Sequence, residues 1–317
     1  MWLIKSEEET DSIYGKMPGE RTVEEQIPNS VVIVDKHAGP TSQQIAVWAK
    51  EIFGVKHAGH SGTLDPNVTG VLPIALENSV KAMPVLMGLD KQYVGVMHLH
   101  KQIDEQLLRD AVLKFIGKIV QIPPVKSAVS RKPREREIYF FDILEIDGRD
   151  VLFKVGCQAG TYIRKLCSDL GSSLGIGAHL SELRRTRVGN FTENQSYRLL
   201  EIKDAYESWK EGEEKQLREI LIPIEHAILH VKRVFVKDSA IDSICNGSPV
   251  YASGLARIQK KINKGDVAAV YSLKEELVAL GFSKMASEEM FESRKGVAVR
   301  TDRVFMERGT YPKFRPV

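Results

Sequence analysis

Along this chain of 317 residues the hydrophobic positions change spacing repeatedly, and each spacing predicts an element. At 31–34 four β-branched residues run together (Val31, Val32, Ile33, Val34) as a strand that Gly39-Pro40 ends. Thr41-Ser42 then offers an N-cap to a helix whose Ile45, Trp48, Ile52 and Phe53 share one face. A second helix is predicted from about Asp104, with Leu107, Leu108, Val112, Leu113 and Ile116 as apolar positions and Gly117 as its stop. Runs at 138–146 and 151–155, joined at Asp147-Gly148, predict a β-hairpin. After Gly160, the residues Ile163, Leu166, Cys167 and Leu170 fall on one helical stripe. The stretch 201–225 is acid-rich and helix-like, and a boundary falls at 223–230. Beyond it, short strands at 234–236, 267–271 and 296–300 predict a small β-rich unit. Strands and helices mix without regular alternation, so the fold class is α+β rather than a doubly wound sheet.

Length sharpens this to about two domains, with 43% hydrophobic and 27% charged residues as in ordinary globular chains. No stretch approaches the run of about 18 apolar residues that a membrane span needs, and the acidic N-terminus has no apolar segment of a secretory signal. Three widely spaced cysteines, Cys157, Cys167 and Cys245, argue against a disulfide scaffold and point to a reducing cytoplasm. The net charge of +3 is unevenly spread. Residues 1–29 carry three basic and seven acidic side chains, whereas 231–317 carry 16 and 10. Two basic clusters stand out, one across 126–136 and one at Arg184, Arg185 and Arg187. Such clusters suit a polyanion, although any one of them alone reads as a solvated face.

Three segments put small or polar residues where a core would want apolar ones. The densest is His60-Ser61-Gly62-Thr63-Leu64-Asp65-Pro66-Asn67-Val68-Thr69-Gly70, a loop built around one carboxylate. The second, 91–97, is a strand opened by Tyr93. The third is Gly160-Thr161-Tyr162-Ile163-Arg164, where Arg164 falls near a helix N-terminus; the macrodipole disfavours it there unless a carboxylate or phosphate lies opposite. His57 with His60, and His98 with His100, have no third ligand nearby in sequence and read as packing and hydrogen-bonding residues rather than a metal site. There is likewise no Walker loop or EF-hand.

The loop 60–70 resembles the signature of the TruB/dyskerin family of RNA pseudouridine synthases. The resemblance extends in order and spacing to Val34-Asp35-Lys36, Gly39-Pro40-Thr41-Ser42, Tyr93, Gly160 to Arg164, and Glu182-Leu183-Arg184-Arg185-Thr186-Arg187. It covers about 30–225, and the basic segment 232–308 resembles a PUA domain, a small RNA-binding β-barrel. The implied organisation is an extension at 1–29, a catalytic domain at 30–230 with a mixed, mainly antiparallel sheet and flanking helices, a PUA domain at 231–308 and a tail at 309–317. The run 177–187 and the short passage from Pro123-Pro124 to Ile138-Tyr139 resemble the archaeal and eukaryotic dyskerin type. One departure is His37, where the family usually has Pro after the lysine.

The reaction so implied breaks the bond from ribose C1′ to uracil N1, rotates the base and rejoins it through C5, with no cofactor and no metal. Family position assigns the required carboxylate to Asp65. Arg164 is the matching guanidinium that keeps it charged, a contact of about 4 kcal/mol at ~4 Å and an effective dielectric of ~20 before desolvation. Tyr93 would stack on the extruded uracil. Tyr162 would complete the pocket and relay the C5 proton, Leu183 would supply an apolar wall, Lys36 would support the loop, and His60 would lie near the flipped nucleotide. The dyskerin type implies rRNA modification directed by a box H/ACA guide RNA together with small accessory proteins. A stand-alone tRNA T-loop synthase is the alternative within the same class. An RNA-binding assembly protein with an inactive site is the alternative outside it.

Overall fold

The computed structural model describes residues 1–123 and 132–313. Lys126 and Arg131 of the first basic cluster, Pro124 of the passage 123–139, and residues 314–317 of the tail lie outside them. Among the described residues, ten strands form one sheet and seven form another. The larger sheet runs, edge to edge, Ile222–Pro223, Ser30–Lys36, Thr69–Leu76, Ala178–Val188, Lys91–Leu99, Asp150–Cys157, Arg134–Asp147 and Gly117–Gln121. Ala58–His60 and Phe191–Thr192 pair off this path. Its neighbours are antiparallel except where Thr69 and Gly70 run parallel to Arg184 and Arg185. That one parallel joint brings the loop before residue 70 beside the end of a strand distant in sequence.

Helices Ser42–Phe53, Glu105–Leu113, Ile163–Ser173 and Leu199–Lys210 contribute to one core with Leu72, Ile74, Met97, Phe153 and Val155 of the sheet. The first is capped by Thr41 and Gln44 in a reciprocal capping box and stops at Gly54 in the left-handed region. It buries Ile45, Ala46, Ala49 and Phe53, whereas Trp48, expected on that face, is 40% exposed. The second helix starts at the Asp104 cap as expected but ends at Leu113. Gly117 opens an edge strand instead, and Leu107 and Leu113 face outward. Ile163, Leu166, Cys167 and Leu170 are all buried, as their spacing requires. The hairpin is longer than expected, Arg134–Asp147 with Asp150–Cys157. The acid-rich stretch divides into Leu199–Lys210, Lys215–Ile220 and Ile224–Ala227. All three cysteines are buried and unpaired.

The smaller sheet runs Trp2–Ile4, Leu255–Gln259, Lys232–Val236, Val267–Tyr271, Leu277–Ser283, Val297–Val304 and Val250–Tyr251. Its pairing path is open, so the expected barrel takes the form of a curled sheet around Ile258, Val270, Val278 and Val299. The N-terminal residues supply its edge strand, with Leu3 opposite Ile258. The Arg21 guanidinium then donates two bonds to the Glu225 carboxylate, at 3.1 and 2.8 Å, where the two sheets meet. An apolar cluster joining Val31, Ile33 and Val71 to Phe235, Tyr271 and Leu277 seals the contact. Among the described residues no helix is long and apolar enough to cross a membrane.

Candidate active site

Asp65 stands in a turn whose two flanks are tied down independently. On one side Leu64 is buried, its N–H donating to Ser42 Oγ at 2.8 Å and its carbonyl accepting from the same hydroxyl at 3.1 Å. On the other, the Pro66 carbonyl accepts from Gly39 N–H at 3.0 Å and from Lys36 Nζ at 2.8 Å. Lys36 Nζ also donates to Val68 O at 2.8 Å and His37 O at 2.9 Å. The lysine therefore secures the turn at His37 with its own ammonium. Burial pushes the Lys36 ammonium below its ordinary value; Asp65 opposes that shift and Arg185 adds to it. The loop ends at Gly70, whose φ of 103° and 2.2 Å gap from a would-be Cβ to Arg185 O admit no side chain.

The guanidinium expected opposite a carboxylate is in place: Arg164, in the first turn of its helix, pairs with Asp65. Both side chains are more than half exposed, 57% and 55%, so water screens the pair in the free protein and it adds only about 0–1 kcal/mol. An RNA that covered them would remove that screening. Tyr162, two residues earlier, is fixed through its backbone: its N–H donates to Gln121 Oε1 at 3.0 Å and its carbonyl accepts from Gln121 Nε2 at 3.2 Å. Gln121 is buried on the edge strand, and its link to Tyr162 was not legible in the sequence.

Tyr93 is buried on the central strand, in register with Arg185 on one side and Val155 on the other. Burial raises its phenol pKa. Leu183 lies opposite Gly95 and half-buried against the same core, close enough that a Cβ on Gly95 would meet its Cδ1 at 2.9 Å. His60 ends the short strand before the loop; burial, with Arg185 adding, depresses its imidazole pKa, and its Nδ1 has no partner among the described residues.

The arginine cluster at 184–187 is not a solvated face. Arg184 bonds both oxygens of Asp35 at 2.9 and 3.1 Å and also Glu193. Arg187 donates to Gly189 O at 2.7 Å. Arg185 is 1% exposed and turns inward beneath the loop, donating to Val71 O at 2.8 Å and Gly62 O at 3.2 Å. Strand alternation sends Arg184 and Arg185 to opposite faces, and that two-residue period was the signal available in sequence. The histidines are spread over two places. His57 pairs with Glu77, while His98 meets Asp150 and His100 meets His179 at the far strand ends. Among the described residues no group of three or more such ligands is arranged to hold a metal ion.

The fold thus pairs a carboxylate on a loop with a guanidinium from a distant helix, and the end of that loop adjoins the strand whose Arg185 is the register partner of Tyr93. The family models give the class. That of the TruB family pseudouridylate synthase N-terminal domain matches residues 50–163, and that of the tRNA pseudouridylate synthase B C-terminal domain matches 164–229. A PUA domain matches 232–305 and a DKCLD (NUC011) domain 1–46. A probable tRNA pseudouridine synthase B of Methanopyrus kandleri is 53% identical over 98% of this chain and 92% of its own length. Two solved structures superpose at TM-scores of 0.92 and 0.93: an H/ACA RNP bound to a substrate RNA containing 2′-deoxyuridine, and a Cbf5-Nop10-Gar1 complex. They are 43% and 45% identical, cover 99% of this chain, and are themselves covered over 97% and 96%. The protein is thus an RNA-modifying isomerase, a pseudouridine synthase. The chain belongs to the TruB/Cbf5 family, in the form that carries DKCLD and PUA domains.

Proposed function

We propose that this enzyme isomerises uridines selected by a box H/ACA guide RNA, rRNA among its substrates, in a particle with Nop10- and Gar1-like accessory proteins in the cytoplasm. The likeness to H/ACA complexes across 99% of the chain, including the N-terminal residues and the curled sheet, supports this reading. In it, 30–230 is the catalytic domain, 231–308 the PUA domain that holds RNA, 1–29 its extension and 309–317 a tail. Asp65 is the reacting carboxylate, kept ionised by Arg164 as RNA excludes water. Tyr93 stacks on the uracil, Tyr162 closes the pocket and relays the C5 proton, Leu183 forms the apolar wall, Lys36 holds the loop and His60 borders the flipped nucleotide. The observation that carries the site is the Asp65–Arg164 ion pair formed across 99 residues of sequence.

A second reading, action on tRNA without a guide, is favoured by the names of the curated relatives, each a probable tRNA pseudouridine synthase B. Tritium release from C5-labelled uridine in rRNA and tRNA, with and without guide RNA, separates the two. Guided release from rRNA is the expected result; guide-independent release from every substrate would give the second reading the lead. No release from any substrate in a reconstituted particle would leave an RNA-binding assembly protein.

A further inference from the structure

The turn from Gly39 to Ser42 holds the chain on both sides of Asp65. Gly39 N–H donates to Pro66 O at 3.0 Å, just after the carboxylate. Ser42 Oγ accepts from Leu64 N–H at 2.8 Å and donates to Leu64 O at 3.1 Å, just before it. Asp65 thus stands between two clamped neighbours, with its own side chain 55% exposed.

The two clamps differ in kind. After Asp65 the backbone is held redundantly: Lys36 Nζ also reaches Pro66 O and Val68 O, and Val68 N–H closes the turn onto Asp65 O at 3.0 Å. Before Asp65, both backbone groups of Leu64 rest on one oxygen. Ser42 and Leu64 are 1% and 4% exposed, so water has no access to take that oxygen's place. A hydroxyl donates and accepts through a single atom. Here it does what a paired residue does in an antiparallel ladder, where the N–H and C=O of one residue are bonded together. An aliphatic side chain would strand both groups, and the chain would have to shift to satisfy them.

The helix that begins at Ser42 does not need this hydroxyl. Thr41 caps it, accepting from Gln44 N–H at 3.1 Å, while Gln44 Oε1 accepts from Thr41 N–H at 2.8 Å. Ile45, Ala46, Ala49 and Phe53 bury its inner face. Leu64 likewise keeps its apolar contacts in the main core without Ser42. Loss of the hydroxyl therefore falls on the loop rather than on the fold.

We infer that Ser42 is a positioning residue for the isomerisation: its hydroxyl fixes the backbone from which Asp65 projects, and so aims the carboxylate at Arg164 and at the uracil. This rests on the reading of Asp65 given above. The carboxylate and its guanidinium lie 99 residues apart in sequence, so their meeting depends on where the loop stands. A displacement of about 1 Å in such a geometry costs about 100-fold in rate.

The test uses the full-length chain and the C5-tritiated RNA that the unaltered protein turns over best. Single-turnover rate, RNA dissociation constant and urea midpoint are measured separately. Ser42→Ala should react about 30-fold more slowly, with RNA binding within about 2-fold of the unaltered protein. A double-variant cycle with Arg164 separates positioning from a general loss of structure. If Arg164→Met alone costs about 100-fold, it should cost no more than about 10-fold in the Ser42→Ala background, because the carboxylate there has already left its partner. Losses that multiply in full, a rate for Ser42→Ala within about 2-fold of normal, or a loss confined to RNA binding overturns the inference. If Ser42→Ala does not fold, Ser42→Cys takes its place under the same expectations, since a thiol fills the space but bonds weakly. Asp65→Asn is the separate control. Product formation by that variant sinks the site reading itself, whereas an inactive Asp65→Asn beside a fully active Ser42→Ala sinks only the role of the serine.

Discussion

Two buried arginines serve two different ends of this molecule. Arg21, at the junction of the sheets, meets a carboxylate in a bidentate pair whose side chains are 12% and 5% exposed, and Glu225 further accepts the Leu277 N–H at 3.1 Å. Nearby, Glu276 accepts from Lys16 N–H, Ser272 Oγ and Tyr311 Oη. Arg21 and Glu225 match in charge there, while Glu276 is held by neutral donors of the protein itself. Arg185 sits under an open loop and bonds backbone carbonyls, with no acid within ion-pair distance among the described residues. Matched buried charge fixes how parts assemble, because breaking it strands an ion in low dielectric. Unmatched positive charge beneath a loop that carries an exposed carboxylate leaves the field pointed at whatever binds above.

Four substitutions probe that contrast, in descending order of effect. Asp65→Asn should abolish tritium release, a fall of at least about a thousand-fold, while RNA binding by filter retention persists. Glu225→Ala should destabilise the fold by about 3–5 kcal/mol, seen as a lower urea midpoint, yet leave the single-turnover rate of the folded fraction near normal. A slowed reaction at full folding would mean that the junction reaches the site. Arg164→Met should do the reverse. The screened pair contributes at most about 1 kcal/mol to stability, but the rate should fall about 100-fold once RNA covers Asp65.

Lys91 gives the smallest effect and a pH signature. Burial, with Arg185 beside it, lowers its ammonium from 10.5 to about 8. Between those values the unfolded chain holds a proton that the folded chain has released, so this residue makes stability rise with pH across that window; below it the penalty is constant. Replacing Lys91 with Met should flatten the rise between pH 8 and 10 by up to about 2 kcal/mol in urea melts. An unchanged slope would show that the cations under the loop are less confined than those of the junction are.

Much of this was legible residue by residue. The spacing of Ile163, Leu166, Cys167 and Leu170 forced a helix that buries them, and Arg164 at its start called for an anion. The density of glycine and hydroxyl residues marked the Asp65 loop. Trp48 and the end of the second helix were misread for one reason: a helical stripe is wider than its buried part, and only the neighbours decide which edge is covered. The arginine cluster was misread because adjacency in sequence was taken for adjacency on a surface, which a strand forbids.

By itself, then, the sequence determined the local elements, the loop that carries the carboxylate and the family, since these depend on periods and residue types within a few turns of chain. The tertiary structure decided which charges meet. Asp65 and Arg164 come from different elements, Arg185 reaches Val71 and Gly62 across one parallel joint, and the N-terminal strand closes onto residues some 255 positions later. Electrostatic and hydrogen-bond partners are set by distance in space. In a mixed sheet that distance is fixed by strand order, which hydrophobic spacing along the chain does not encode.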